Sequence, residues 1–149
     1  AFRWQKEGNG LIGVVNGHRV FAEQSAEKLI ITPCSKEQLP FWIDYFDLSR
    51  DYSVIEELLL KDEHLRQCLL YAKGIRIFRQ DPFETLISFI ISANNNMRRI
   101  SSTLEAICQL CGELKVFTDI EYFAFPTPTQ LASLSIEQLQ SCGTGYRAS

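Results

Sequence analysis

The first third of the chain has the pattern of a small β-sheet. Residues 1–32 contain short apolar stretches separated by turn signals, and these stretches are Phe2–Trp4, Leu11–Val15, Arg19–Gln24 and Leu29–Thr32. Asn16-Gly17 favours the two-residue hairpin turn whose twist matches its flanking strands. We predict an antiparallel meander that ends at Pro33, because proline cannot donate to a strand ladder.

The run that starts at Asp81 predicts the helix around which we expect the chain to be organised. Asp81 is a suitable N-cap, Pro82 suits the first turn, and Glu84 has the spacing of a capping box. Apolar residues cover most of this helix and leave a narrow polar line at Glu84, Ser88 and Ser92. We therefore predict a helix buried inside the protein.

A polar, basic elbow follows that helix. Asn94–Asn96 tolerate left-handed backbone and compete for backbone hydrogen bonds, so they predict a helix end. Apolar residues from 100 to 111 then recur at helical spacing before Gly112. The elbow predicts a functional cluster or, in a purely structural interpretation, a solvated turn.

The other segments predict further helices. Phe41–Phe46 is dense in aromatics and fits a core or an interdomain seam. Past Gly112 we predict short helices, with capping boxes that start at Thr127 and Ser135. The domain prediction is a sheet domain over residues 1–40, with 75–79 as a candidate further strand, and a helical region over residues 41–149.

Composition fits a globular protein with a substantial core. The chain has 149 residues, 46% of them hydrophobic, and an odd number of cysteines, five. It has no N-terminal signal pattern and no apolar run of the ~20 residues that a membrane span needs. We expect an intracellular protein, in the cytoplasm of a prokaryote or the nucleus of a eukaryote.

The charges are unevenly distributed. A net charge of −3 argues at first against nucleic acid, but three windows contain basic residues and no acids. These basic residues are Lys73, Arg76, Arg79, Arg98, Arg99 and Arg147. If the windows meet in the fold, they form a basic patch on an acidic body.

Motifs for other chemistry are weak. Cys108 and Cys111 have C-x-x-C spacing, but both lie on the apolar stripe of their helix, which favours core cysteines. No phosphate loop or metal signature is present in the sequence. We therefore expect no metal and no cofactor.

Several motifs together resemble one family. The run GIRIFRQDPFETLISFIISANNNMRRI, with FRW near the start, YFDL in the middle and GTGYRA at the end, is similar to the 8-oxoguanine DNA glycosylases of the helix-hairpin-helix superfamily. The similarity extends over nearly the whole chain. It implies an α+β fold, in which an N-terminal antiparallel (TBP-like) sheet domain packs on part of an α-helical glycosylase domain.

The resemblance also implies an activity. Such an enzyme extrudes an oxidised guanine paired with cytosine, cuts its glycosidic bond and nicks the strand by a lyase step. The implied partner is double-stranded DNA that contains 8-oxoguanine opposite cytosine, and we expect a monomer that does not bind membranes.

Four residues take DNA-binding roles by this resemblance. Asn94 would fill the gap that the extruded base leaves in the DNA duplex, and Asn95 and Asn96 would brace the elbow. Arg99 and Arg147 would donate hydrogen bonds to the orphaned cytosine. Tyr146 would wedge into the base stack.

The sequence also departs from the family pattern. The family's catalytic lysine and aspartate belong to a helix-hairpin-helix motif that we expect beyond Ser149, and its base-reading glycine would precede Phe2. We therefore expect a fragment of a DNA-repair enzyme that holds the orphan-base half of the site and is inactive alone. No catalytic residue is assigned within the chain.

Three alternatives remain open. One is an alkylated-base glycosylase of the same superfamily, and another is a non-catalytic DNA-binding module whose affinity falls steeply with salt. The third is a protein-interaction domain that makes its contact through Phe41–Phe46.

Overall fold

The described residues form an antiparallel sheet, a series of helices and a second, smaller hairpin. The computed structural model describes residues 2–26 and 28–148. The strands are β1 Trp4–Glu7, β2 Gly10–Val15, β3 His18–Ser25, β4 Lys28–Thr32, β5 Leu114–Phe117 and β6 Ile120–Phe123. The helices are α1 Leu39–Tyr45, α2 Ser53–Leu59, α3 Glu63–Ala72, α4 Pro82–Ser92, α5 Met97–Cys111, α6 Pro128–Ala132 and α7 Ile136–Ser141. The predicted α+β class is confirmed.

The chain divides into two compact units. One contains residues 1–33 and 80–149, and the other contains residues 34–79. The division into a sheet domain at 1–40 and a helical region at 41–149 stays a prediction. The candidate strand at 75–79 is not formed, because its backbone groups have other partners: the Arg79 amide donates to the Tyr45 carbonyl at 2.9 Å, and the Ile77 amide donates to the Tyr52 hydroxyl at 3.0 Å. No helix in the described ranges is long and apolar enough to span a membrane.

The sheet is a simple meander in the order β1-β2-β3-β4. Val15 pairs with His18 across the predicted turn, where Asn16 and Gly17 have φ of 49° and 73°. This confirms the predicted two-residue hairpin. The first strand begins at Trp4 rather than at Phe2, because the Phe2 carbonyl accepts a hydrogen bond from Ser101 Oγ of α5 at 3.0 Å.

The core of the first unit lies along α5. Ile100, Leu104 and Ile107 of α5 pack with Ile91 of α4 in one buried cluster. Cys108 has no exposed surface, and burial raises the pKa of its thiol to about 12. Such a thiol is protonated at neutral pH, so the interpretation as core packing is confirmed for Cys108, whereas Cys111 is only partly buried.

The predicted orientation of α4 is wrong. Ser88 of the polar line is buried, whereas Phe89 is 75% exposed among the described residues. Burial raises the pKa of Glu84, and the nearby Arg3 guanidinium, itself buried, opposes this shift. The polar line therefore faces inwards towards a buried cation, and one face of α4 packs while Leu86 and Phe89 are exposed.

The start of α4 is only partly as predicted. Asp81 Oδ1 accepts a hydrogen bond from the Glu84 amide at 2.8 Å, which confirms the N-cap. The Glu84 side chain does not complete a capping box, because it turns inwards. The boxes at Thr127 and Ser135 are both complete.

The segment after Gly112 begins with a hairpin that the sequence analysis missed. Strands β5 and β6 pair around Thr118 and Asp119, which have φ of 50° and 62°. The sequence LKVFTDIEYF alternates apolar and polar residues in its outer parts, which is the signal that could have predicted strands.

The second unit is built on an aromatic cluster and a buried carboxylate. Trp42, Tyr45 and Phe46 are buried, and the Phe46 ring centroid lies 5.1 Å from that of Phe78. Asp47 follows this cluster with φ of 51°.

Asp47 is the ionic centre of the second unit. It accepts hydrogen bonds from the Tyr52 hydroxyl at 2.8 Å and Arg79 Nε at 3.2 Å, and it pairs with Arg50 Nε at 2.7 Å. The hydrogen bond from Tyr52 and the charges of Arg50 and Arg79 hold the pKa of Asp47 below its usual value.

The substitution Asp47→Asn should lower thermal stability at neutral pH and have little effect in acid. Asparagine keeps the side-chain shape and tolerates a positive φ, but it lacks the charge. Because the folded-state pKa is depressed, the stabilisation is present above the unfolded pKa of ~3.9 and is lost as pH falls through the lower folded value. Melting curves of both proteins between pH 7 and pH 2.5 test this.

The matched control is Asp44→Asn. Asp44 is largely exposed and forms an ion pair with Arg79, whose side chain is also exposed, so its removal should change stability little at any pH. Equal effects of the two substitutions at pH 7 would contradict the assignment.

Candidate nucleic-acid interface

The elbow between α4 and α5 brings a left-handed asparagine to the surface. Ala93 is the C-cap of α4, and Asn94 follows with φ of 47°. Asparagine is one of the few residues that adopt this conformation readily. The Asn94 residue is exposed. The elbow therefore presents it outwards from the end of a packed helix.

The next two asparagines brace the elbow, as predicted. Asn95 Nδ2 donates to the Ile91 carbonyl at 3.0 Å, and Asn95 Oδ1 accepts from the Asn96 amide at 3.0 Å. Asn96 is the N-cap of α5, because its Oδ1 accepts from the Arg99 amide at 3.0 Å. One side chain thus closes the end of α4 and the other opens α5.

The glycine-rich turn, residues 143–147, is held by the buried Thr144 and exposes the ring of Tyr146. Gly143 and Gly145 have φ of 87° and 61°. Residues other than glycine, asparagine and aspartate rarely adopt a positive φ. Thr144 between them is 3% exposed, and its Oγ1 donates to the Leu139 carbonyl at 2.9 Å. Tyr146 is 65% exposed. The turn therefore presents this ring to the surface.

Arg147 connects this turn to the elbow. Its Nε donates to the Ala93 carbonyl at 3.0 Å, and its Nη2 donates to the carbonyls of Ala93 and Asn94, the latter at 3.2 Å. Its guanidinium carbon lies 4.5 Å from the centroid of the Tyr146 ring. Three of the four predicted residues are therefore in one connected cluster.

The fourth residue, Arg99, lies in the first turn of α5. Arg98 and Arg99 are both exposed, and within residues 2–26 and 28–148 their side chains form no hydrogen bond or ion pair. The first turn of α5 has no acidic residue. Cations at a helix N-terminus are not stabilised by the helix dipole, so packing and helix stability do not explain these two charges.

Two of the six residues of the predicted basic patch have partners within their own unit. Arg76 Nη1 donates to the Asp47 carbonyl at 2.7 Å, and Arg79 pairs with Asp44 and Asp47. These two guanidinium groups stabilise their own unit. Arg98, Arg99 and Arg147 remain as the basic residues of the elbow region.

The contact of Arg147 with the end of α4 is the feature that sequence reasoning missed. Arg147 lies 54 positions after Ala93, and no local pattern links the two. No group of three or more potential metal-ligating side chains occurs in the described parts of the chain.

By fold, the chain matches part of a DNA glycosylase structure. Its structure matches the crystal structure of the Clostridium acetobutylicum 8-oxoguanine glycosylase/lyase in complex with dsDNA containing cytosine opposite 8-oxoG, with a TM-score of 0.95 and 36% sequence identity. The match covers 99% of this chain and 52% of that chain.

The sequence comparisons define the family. The model of the 8-oxoguanine DNA glycosylase N-terminal domain matches residues 1–86, more than half of the chain. The chain therefore belongs to the 8-oxoguanine DNA glycosylase family, as its motifs predicted. An N-glycosylase/DNA lyase of Saccharomyces cerevisiae is 46% identical over 81 residues, which are 53% of this chain and 22% of that protein. The N-glycosylase/DNA lyase OGG1 of Arabidopsis thaliana is 29% identical over 157 residues, which are 99% of this chain and 42% of that protein. The chain thus spans less than half of these two curated relatives.

The substitution Asn96→Ala should destabilise the elbow. Loss of an N-cap costs about 1 kcal/mol, because one amide at the start of the helix loses its acceptor. Asn96→Asp should retain most of the stability, since a carboxylate also caps. Urea unfolding of both variants measures the difference, and Arg98→Ala serves as an exposed control within ~0.5 kcal/mol of the unsubstituted protein. Equal stability of Asn96→Ala and Arg98→Ala would rule out a capping role.

Proposed function

We propose that this chain is the part of an 8-oxoguanine DNA glycosylase/AP lyase that holds duplex DNA and the cytosine left unpaired when the oxidised guanine is extruded. Family membership supports this role, as does the likeness to a glycosylase crystallised with dsDNA containing cytosine opposite 8-oxoG. Base-excision repair would place the protein with genomic DNA, in the cytoplasm of a prokaryote or the nucleus of a eukaryote. A monomeric state stays a prediction.

The observation that carries the proposal is the meeting of the elbow and the glycine-rich turn. Extruding a base leaves a gap in the stack and a partner without hydrogen bonds, so the protein must fill the first and bind the second. Asn94 lies exposed on the elbow, and Arg147 contacts the carbonyl of the same residue. A short gap-filling amide and a guanidinium are therefore adjacent on one surface.

Arg99 and Arg147 supply the donors for the unpaired cytosine. The pairing edge of cytosine offers acceptors once guanine leaves, and guanidinium groups carry only donors, in a rigid fork. Arg99 has no competing side-chain partner among the described residues. If a purine stood opposite the lesion, N–H donors of Arg99 and Arg147 would be left unpaired. This cost would favour cytosine over a purine at that position.

Tyr146 is suited to wedge between base pairs. Its ring is exposed on the glycine-rich turn, and the Arg147 guanidinium packs against one face of the ring. Inserted side chains unstack a base step and kink the duplex, which lowers the barrier to extrusion. Tyr146 would therefore act on the stack while Asn94 fills the vacated position.

One alternative is disfavoured by a specific observation. A protein-interaction domain that uses Phe41–Phe46 requires these rings at the surface, yet Trp42, Tyr45 and Phe46 are buried in their own unit, and Phe41 is 38% exposed. A non-catalytic DNA-binding module differs from the proposal in one measurable respect, because its affinity does not depend on the opposing base.

Arg99→Ala and Arg147→Ala should each reduce the preference for cytosine by about 1–3 kcal/mol, the usual worth of a good base contact. Competition binding compares two duplexes that contain an abasic-site analogue, one with cytosine and one with adenine opposite it. The control Arg98→Ala should affect the affinity for both duplexes alike, because Arg98 has no assigned base contact and contacts to phosphate carry no base information. An unchanged preference in both arginine variants would refute their role.

Tyr146→Ala in the full-length protein should slow base extrusion and leave the fold intact. The expected decrease is about tenfold, because ring–base stacking is worth roughly 1–3 kcal/mol and 1.36 kcal/mol is tenfold in rate. Stopped-flow fluorescence of 2-aminopurine beside the lesion reports extrusion, and circular dichroism reports the fold. Tyr146→Phe should keep the rate, and a normal rate in Tyr146→Ala would remove the wedge role.

A further inference from the structure

The C-terminal end of α4 depends on side chains for its hydrogen bonds. The last carbonyls of a helix have no partner within the helix. Here the Ile91 carbonyl accepts from Asn95, while the carbonyls of Ala93 and Asn94 accept from Arg147. The last turn of α4 contains no basic residue, so the cation that suits the negative end of the helix comes from the distant glycine-rich turn.

This arrangement also stabilises the left-handed backbone of Asn94. Asn94 has φ of 47°, a conformation that costs free energy for any residue with a side chain. Arg147 Nη2 donates to carbonyls on both sides of the Asn94 nitrogen, those of Ala93 and of Asn94 itself. One planar group thus fixes the peptide units on either side of the α carbon that carries the gap-filling side chain.

Most donors of Arg147 are committed in this arrangement. A guanidinium has five N–H groups. Nε and Nη2 donate to the two elbow carbonyls, and Nη1 donates to the Thr144 carbonyl at 3.1 Å. Only one N–H of Nη1 remains without an acceptor among these contacts. A fork of two donors to a base edge therefore requires that Arg147 release a carbonyl.

We propose that Arg147 exchanges acceptors: its guanidinium latches the α4–α5 elbow in DNA-free protein and leaves the elbow carbonyls when it binds the orphaned cytosine. This inference rests on the proposed function, because it assumes that Arg147 meets that base. It makes Arg147 a positioning residue for Asn94 as well as a reader. Release removes the support of the left-handed backbone, so recognition of the opposing base frees the Asn94 segment to enter the gap.

The latch is tested first in the DNA-free protein. Arg147→Ala should accelerate hydrogen exchange of the Asn96 and Arg99 amides, whose acceptors lie on the elbow, by at least about tenfold. Arg147→Lys should give an intermediate rate, since an ammonium keeps the charge but lacks the planar fork. The control Arg98→Ala should leave these rates unchanged. Equal rates in Arg147→Ala and the unsubstituted protein would overturn the latch.

The exchange is tested by the NMR signal of the Arg147 Nε–H group, identified by its loss in Arg147→Lys. In DNA-free protein this signal should show a scalar coupling through the hydrogen bond to the Ala93 carbonyl carbon. Adding a duplex with cytosine opposite an abasic-site analogue should abolish that coupling, whereas a duplex with adenine opposite should leave it in place.

The two proposals fail in distinguishable ways. A preference for the cytosine duplex with the Ala93 coupling retained would overturn acceptor exchange and leave the proposed function standing. Equal affinity for the cytosine and adenine duplexes would overturn the proposed function, and the exchange with it.

Discussion

The carbonyl groups at the C-terminal end of α4 must find donors, and the way they do so organises the surface around them. Asn95 satisfies one from within the elbow, and Arg147 satisfies two from the far turn. A helix end left without partners would lose its last turn, and with it the position of the elbow. The same contacts that complete a helix therefore bring together a short amide, a guanidinium and an aromatic ring.

A buried guanidinium, that of Arg3, connects the other parts of this unit. Arg3 donates to the Phe123 carbonyl at 2.6 Å and pairs with Glu105 at 3.5 Å, so the start of the sheet, α5 and β6 share one cation. Glu84 lies on the inward side of α4, where the charge of Arg3 opposes the rise that burial causes in its pKa. A buried cation needs compensating carboxylates and carbonyls. The Glu105 carboxylate and the Phe123 carbonyl meet this requirement by direct contact, and Glu84 interacts with the same charge from the inward side of α4.

Local sequence patterns predicted most helices and strands, whereas contacts between residues distant in the sequence could not be predicted from it. Asn16-Gly17 and the boxes at Thr127 and Ser135 are short patterns whose chemistry acts within four residues, and the structure has them as predicted. The inward face of α4 packs against residues that are distant in the sequence, as Phe83 does against Phe125, so periodicity alone gave the wrong face. The candidate site residues were predicted from family motifs, whereas the cap that Arg147 places on α4 joins residues that no motif links.

The left-handed conformation of Asn94 has a consequence for evolution. At that position only glycine, asparagine and aspartate avoid a large backbone penalty, and at Arg147 only arginine presents a planar fork to two carbonyls. A mutation at either position alters the selection on the other, although 53 positions separate them. Substitutions at the two positions should therefore be correlated across divergent sequences, so that a replacement at one position accompanies a replacement at the other.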